Sequence, residues 1–338
     1  MNLVNGETII ITGMAGFIGY HLAKELARKF PDSKIIGIDN LNDYYSIQLK
    51  YDRLQHLKRY ENIIFLEGDV ADYEFLVKVS NDFPEVNYLF HLAAQGGVRA
   101  SVDQPFKYTN SNLVGQVCML EFAKQLTKLE KVIYASSSSV YGSTKKTIYR
   151  EDLPHAKPLS LYSATKQAGE LICDSYSRLF QIPMVGLRFF TAYGPYGRPD
   201  MAMFKIAYAI KNNRKVKLVG DGTIARDFTY IEDIISGIIK SANYSQEIDE
   251  KGYQNEIFNL GTGKKTDINT ITKLIADNLG MKVEIEYVSQ DLTDMQTTLA
   301  DISKAKERFG YDPKVDLDQG IKYFITWFKE YYALQLAI

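Results

Sequence analysis

The sequence predicts an α/β fold in which a doubly wound parallel sheet carries a smaller C-terminal lobe. Three observations predict it. Short runs rich in β-branched residues alternate with stretches of helical period up to residue 190, a glycine-rich turn follows the first run, and beyond residue 190 strands become sparse. Such alternation favours parallel strands, because each crossover helix covers one face of the sheet.

The first strand, "ETIIITG", ends in "TGMAGFIGYH", which spaces Gly13, Gly16 and Gly19 as G-x-x-G-x-x-G with Phe17 and Ile18 inside the turn. A turn of this kind brings backbone amides and a helix N-terminus up to a pyrophosphate, although any tight strand-to-helix turn also needs glycine. The helical stretch "GYHLAKELARKF" leads to a second strand, "KIIGID", which ends in Asp39, twenty residues after Gly19, with Asn40 next. An acid there accepts bonds from both adenosine ribose hydroxyls and repels a 2′-phosphate, so NAD is favoured over NADP. The third strand, "NIIFLEGD", delivers Asp69 and Val70 beside an adenine, and the fourth, "NYLFHLA", leads into "HLAAQ", where Ala93 leaves room for a dinucleotide. Four successive strand ends thus agree on NAD as cofactor.

The helical stretch "QVCMLEFAKQL" precedes a fifth strand, "KVIYASS", which runs into serines 136 to 139. The sixth strand is "MVGLRFF", after which the Gly/Pro loop "TAYGPYGRPDM" opens the C-terminal lobe. Bulk properties exclude several classes. With 40 basic against 41 acidic residues in 338, no polyanion-binding surface and no nucleic-acid partner are expected. No apolar run approaches the ~20 residues of a membrane span, and "MNLVNGETIIITG" has no signal-peptide pattern, so a cytoplasmic protein is expected. Cys118 and Cys173 read as reduced core residues, and His21, His56, His91 and His155 lack ligand spacing, so no metal site is expected.

Tyr162 and Lys166 stand four apart in "SLYSATKQAGELICDSYSRLF", on one helix face. Among 24 tyrosines such spacing recurs by chance, as it does at Tyr20 with Lys24 and at Tyr141 with Lys145. Position separates them: Tyr162 opens the helix after the fifth strand, where carboxyl-end loops gather around a ligand. A tyrosine of pKa ~10 needs a depression of about three units, ~4 kcal/mol, to act as a base near neutral pH. One ammonium at 4–6 Å, with an effective dielectric of about 20, supplies roughly 3–4 kcal/mol. Lys166 is expected to be that charge. The bland alternative is an idle pair on an exposed helix.

"TGMAGFIG", "HLAAQ", "SSSSVYG", "YSATK" and "RDFTYIEDI" together resemble the extended short-chain dehydrogenase/reductases, and within them the NAD-dependent nucleotide-sugar 4-epimerases. The longer stretches "GIDNLNDYYSIQLK" and "GLRFFTAYGPYGRPDMAMFK" are similar to UDP-glucuronate 4-epimerases. The resemblance implies a Rossmann domain at 1–190 and 228–262 interleaved with a UDP-sugar domain at 191–227 and 263–338, "EIFNLGTG" being the late-returning last strand. It implies that Tyr162 takes the proton of the sugar 4-hydroxyl, Lys166 supports it, and Ser137 hydrogen-bonds the 4-oxygen. It further implies that Arg99, Lys205, Arg226 and Asp294 contact the UDP-sugar, while Ser138, Ser139 and Thr191 hold the glucuronate carboxylate. Homodimers through a four-helix bundle are implied, here by residues 107–127 and 162–180.

Two departures bear on this. Ser138 and Ser139 stand where related dehydratases carry Asp-Glu, which removes their extra acid. Asp291, in "DLTD", replaces a neutral or basic residue of the nucleotide loop. The competing readings are a UDP-glucose or UDP-N-acetylglucosamine 4-epimerase, net oxidoreduction of a nucleotide sugar, and a catalytically silent NAD-sensing or scaffold protein.

Overall fold

Six strands form in the order in which the sequence presents them: β1 (Thr8–Thr12), β2 (Lys34–Asp39), β3 (Ile63–Glu67), β4 (Val86–His91), β5 (Lys131–Ser137) and β6 (Met184–Phe189). The chain then runs through β7 (Thr191–Tyr193), β8 (Val216–Val219), β9 (Ala225–Arg226) and β10 (Phe228–Tyr230), and returns as β11 (Asn255–Leu260) before β12 (Thr266–Asp267) and β13 (Ile285–Val288). The computed structural model describes residues 3–144, 146–245, 254–289 and 297–335. One seven-stranded sheet has the order β11-β6-β5-β4-β1-β2-β3, parallel throughout. The strand order reverses between β1 and β4, and their carboxyl ends diverge there into a crevice.

Burial on both faces accounts for the near-continuous apolar strands. Along β1, Ile9 and Ile11 point into one layer and Ile10 into the other, as a period of two requires. The first layer holds the helices Phe17–Lys29 and Ile231–Ala242; the second holds Tyr73–Asp82, Gly115–Ala123 and Leu161–Phe180. β11 pairs with β6 in full register, Asn255 opposite Met184 to Leu260 opposite Phe189, so the late-returning strand behaves as the resemblance implies. The helices Ala202–Lys211, Ile268–Leu279 and Leu317–Gln335 share the first layer's apolar cluster, through residues such as Phe204, Ile271 and Phe324. The C-terminal segments are therefore packed onto the sheet rather than tethered to it.

Candidate active site

At the end of β1, Gly13 adopts φ +72° and donates its N–H to the Ile38 carbonyl at 2.7 Å. A Cβ on Gly13 would stand 2.9 Å from the Ala93 nitrogen, and one on Gly19 would stand 2.1 Å from the Gly13 carbonyl oxygen. Both positions exclude a side chain because backbone, not a flexible side chain, fills the space. The helix Phe17–Lys29 begins at Gly16 with no side-chain cap, which leaves its first amides facing the crevice. Asp39 accepts from the amides of Ala15 (3.1 Å) and Leu41 (2.9 Å), and Asp69 from Asn40 Nδ2 and the Ala71 amide, both 2.9 Å. Lys50, which sequence reasoning passed over, is buried with its ammonium 3.7 Å from Asp39.

The other end of the crevice is built on β5 and the helix Leu161–Phe180. Ser160 caps that helix by accepting from the Ser163 amide at 3.1 Å, which sets Tyr162 in the first turn. Ser137 lies beside the Tyr162 phenol and accepts from the Ser139 amide at 3.1 Å. Lys166 donates to the Ala135 carbonyl at 2.9 Å. Burial holds the Tyr162 phenol above its ordinary pKa, against the opposing pull of Ser137 and the Arg198 charge. Lys166 is not among the groups that lower it here. Spacing fixes the Cβ atoms on one face, but the lysine stem is long and its desolvated ammonium takes the nearest carbonyl. Burial in turn lowers Lys166 to about 8, with Cys173 and Glu170 pulling the other way.

The two chance pairs go elsewhere. Tyr20 is buried with its hydroxyl 3.3 Å from His56 Nδ1, and Tyr141 donates to Asn259 Oδ1 at 2.7 Å. Lys145 lies outside the described residues.

A cleft of about 410 Å³ joins the two ends. Among the expected residues, Gly13, Gly16, Phe17, Ile18, Gly19, Asp39, Asn40, Asp69, Val70 and Ala93 line it, with Ser137, Ser138, Ser139, Tyr162, Lys166, Thr191 and Arg226. Arg99 and Lys205 are exposed and outside the lining. Arg99 sits where the chain turns outward after β4, and Lys205 one turn beyond Met201, which does line the cleft. Asp291 and Asp294 lie outside the described residues. Asp227, the residue that could have tied up Arg226, is fully buried and spends its carboxylate on the amides of Thr262, Gly263 and Ala300 and on the Thr262 hydroxyl.

Residues that sequence reasoning missed complete the walls. Arg198, fixed by Asp200 at 2.6 Å, reaches in from the Gly/Pro loop, and Tyr44 donates to the same carboxylate at 3.2 Å. Gln95 and Thr298 also line the cleft. Among the described residues, Gln95 Nε2, Ser139 Oγ and Thr298 Oγ1 are buried polar atoms without a hydrogen-bond partner. Orphans of this kind mark places where a polar ligand completes the bonding. The glycine cradle, Asp39 and these orphans fit a dinucleotide and a second polar ligand. Among the described lining residues, acids occur only at the Asp39 and Asp69 end, while the Ser137 end carries hydroxyls, Arg198 and Arg226. The described residues contain no cluster of metal-ligating side chains and no helix long and apolar enough to cross a membrane.

The family described as GDP-mannose 4,6 dehydratase matches residues 10–324. Over 324 residues the chain is 43% identical to an uncharacterized protein of Methanocaldococcus jannaschii, covering 96% of this chain and 97% of that one. It is 39% identical over 322 residues to a UDP-glucuronate 4-epimerase of Thermodesulfobacterium geofontis, covering 95% and 96%. The crystal structure of UDP-glucuronic acid 4-epimerase from Bacillus cereus, in complex with UDP-glucuronic acid and NAD, superposes with a TM-score of 0.87 at 33% identity, covering 96% of this chain and 100% of that one.

Proposed function

The chain belongs to the GDP-mannose 4,6 dehydratase family, within the extended short-chain dehydrogenase/reductases, and on that premise we propose that it is an NAD-dependent 4-epimerase converting UDP-glucuronate to UDP-galacturonate. One observation carries the reading: Tyr162 and Ser137 meet at the acid-free, hydroxyl-lined end of a cleft whose other end is a dinucleotide cradle. NAD, when bound, supplies the hydride acceptor and donor and a positive nicotinamide ring. Tyr162 and Ser137 then handle the proton of the sugar 4-hydroxyl. The Tyr162 phenol is protonated at rest, so it accepts that proton only once neighbouring positive charge has ionised it; the Arg198 charge already lowers it, and Lys166 and the nicotinamide are proposed to add the rest. With the hydride given back to the same carbon and the proton given back to the 4-oxygen, the reaction through the 4-keto sugar would be redox-neutral.

Ser138, Ser139 and Thr191 are the proposed grip on the sugar carboxylate. All three line the cleft, and Ser139 Oγ is one of its unpartnered atoms. Neutral donors bind a carboxylate by charge-assisted bonds and add no repelling acid. Arg226 and Thr298 are proposed to face the diphosphate side. We extend the reading to a cytoplasmic homodimer whose two domains divide at 1–190 with 228–262 and 191–227 with 263–338.

The test is incubation with a panel of UDP-sugars, products being separated by chromatography and bound NAD released by denaturation. UDP-galacturonate from UDP-glucuronate, with NAD recovered unchanged, is the expected result. Each lost bond to a charged group costs about 1.5–3 kcal/mol, roughly 10- to 150-fold in kcat/KM. The Ser139→Ala, Thr191→Val double variant is therefore expected to lose far more activity on UDP-glucuronate than on a neutral UDP-hexose. Equal losses on both would remove the carboxylate assignment, and wild-type preference for UDP-glucose would move the substrate to a neutral sugar.

A further inference from the structure

Three consecutive residues at the end of β5 each face the helix Leu161–Phe180, at positions one turn apart. Ser137 lies beside the Tyr162 phenol, Ala135 receives the Lys166 ammonium at 2.9 Å, and Ser136 donates to the Glu170 carboxylate. Glu170 is 1% exposed and lines no part of the cleft. Its carboxylate also takes both prongs of Arg188 from β6, at 2.9 and 2.8 Å, and His155 Nε2 at 2.7 Å from the loop preceding the helix. One buried carboxylate thus ties the ends of β5 and β6, the helix and the loop before it at a single point.

We propose that Glu170 is a positioning residue for the reaction, setting the helix against β5 so that Tyr162 meets Ser137 and acting as the buried counter-charge to Lys166. The inference rests on the Tyr162–Lys166 reading. Burial alone would raise the Glu170 carboxyl, but the bonds from Arg188, His155 and Ser136 and the Arg188 charge hold it at about 2, so it stays ionised whenever the enzyme works. Lys166 sits one turn away and is desolvated. The titratable groups facing it are Glu170 and Cys173 on its own helix and His91 from β4; those facing Glu170 from other elements are Tyr134, Arg188 and His155. Only Glu170 among the groups facing Lys166 is negative at neutral pH, since burial raises Cys173.

Glu170→Gln keeps the size and removes the charge, so Lys166 should lose its proton at lower pH. The alkaline limb of the kcat/KM profile is expected to move down by about one to two pH units. Glu170→Asp, which restores the charge, is expected to return the limb toward its wild-type position even if its melting temperature stays low. The onset of Lys166 acetylation by acetic anhydride, read by mass spectrometry without substrate, should move with the limb. An active Glu170→Gln enzyme with both onsets unchanged overturns the inference, whatever its stability. If that variant does not fold, Glu170→Gln with Arg188→Met leaves no buried guanidinium unpaired and carries the same test. Wild type and Tyr162→Phe run alongside: an inactive wild type or a fully active Tyr162→Phe counts against the proposed reaction, not against this inference.

Discussion

Tyr162, the proposed base, is held in its acid form. Its surroundings are dry, which disfavours phenolate, and only Ser137 and the Arg198 charge oppose that. The depression it needs must therefore come from positive charge gathered in the loaded cleft rather than from the helix neighbour alone. Tyr162→Phe removes one oxygen and no packing. It is expected to lose roughly 10²- to 10⁴-fold in kcat, the usual weight of one positioned acid–base group, with an unchanged content of NAD. Stopped turnover measured beside cofactor release decides this; near-normal turnover would place the base elsewhere. Lys166 and Tyr162 were legible in the sequence as a pair. Their wiring was not, because spacing fixes backbone positions and leaves the end of a long side chain free.

Glycines in this chain do different work at the ends of different elements. At Gly19, inside the first turn of its helix, an added Cβ would meet the Gly13 carbonyl oxygen, so the cradle itself has to open. Gly19→Ala is expected to weaken NAD binding by about 1–3 kcal/mol, a 5- to 150-fold rise in Kd by titration calorimetry. Gly280, by contrast, ends the helix Ile268–Leu279 at φ +71° with nothing within 4 Å of a new Cβ. Gly280→Ala should cost about 1 kcal/mol of stability through backbone strain alone and leave the Kd for NAD unchanged. If both variants bind NAD equally well, the cradle is not the dinucleotide site. The contrast separates a glycine demanded by close approach from one demanded by a helix end, and sequence spacing had already marked only the first as functional.

Among the described residues, exposed apolar side chains away from the cleft occur on two neighbouring helical segments: Phe106 (86% exposed) and Val117 on the 105–123 segment, and Leu171 and Leu179 on the helix Leu161–Phe180. Exposed apolar side chains on two adjacent helices suit the proposed four-helix bundle between copies. Phe106→Asp with Leu171→Glu is expected to give monomers by sedimentation velocity, with NAD still bound because neither residue touches the cleft. A wild-type monomer would remove the dimer from the proposal. Because the helix carrying Leu171 also carries Tyr162 and Lys166, a fall in activity on dissociation is the further expected outcome.

By itself the sequence determined the parallel sheet, its six leading strands, the glycine cradle with Asp39 and Asp69, and the serine and tyrosine brought together at the carboxyl edge of that sheet. Those follow from local rules: a period of two in the strands, a period near 3.6 in the helices, and turns that only glycine can make. Tertiary structure alone decided the rest. Lys50 from a helix and Gln95, Arg198 and Thr298 from three distant loops come to one cleft, and Glu170 reaches Ser136, Arg188 and His155 through the interior. It also turned Asp227 inward, turned Arg99 and Lys205 outward, and buried the Tyr162 phenol so that it rests protonated. The physical reason is that the energy of a charge depends on its distance from other charges and on how much water surrounds it, and both are set in space by residues far apart in the chain.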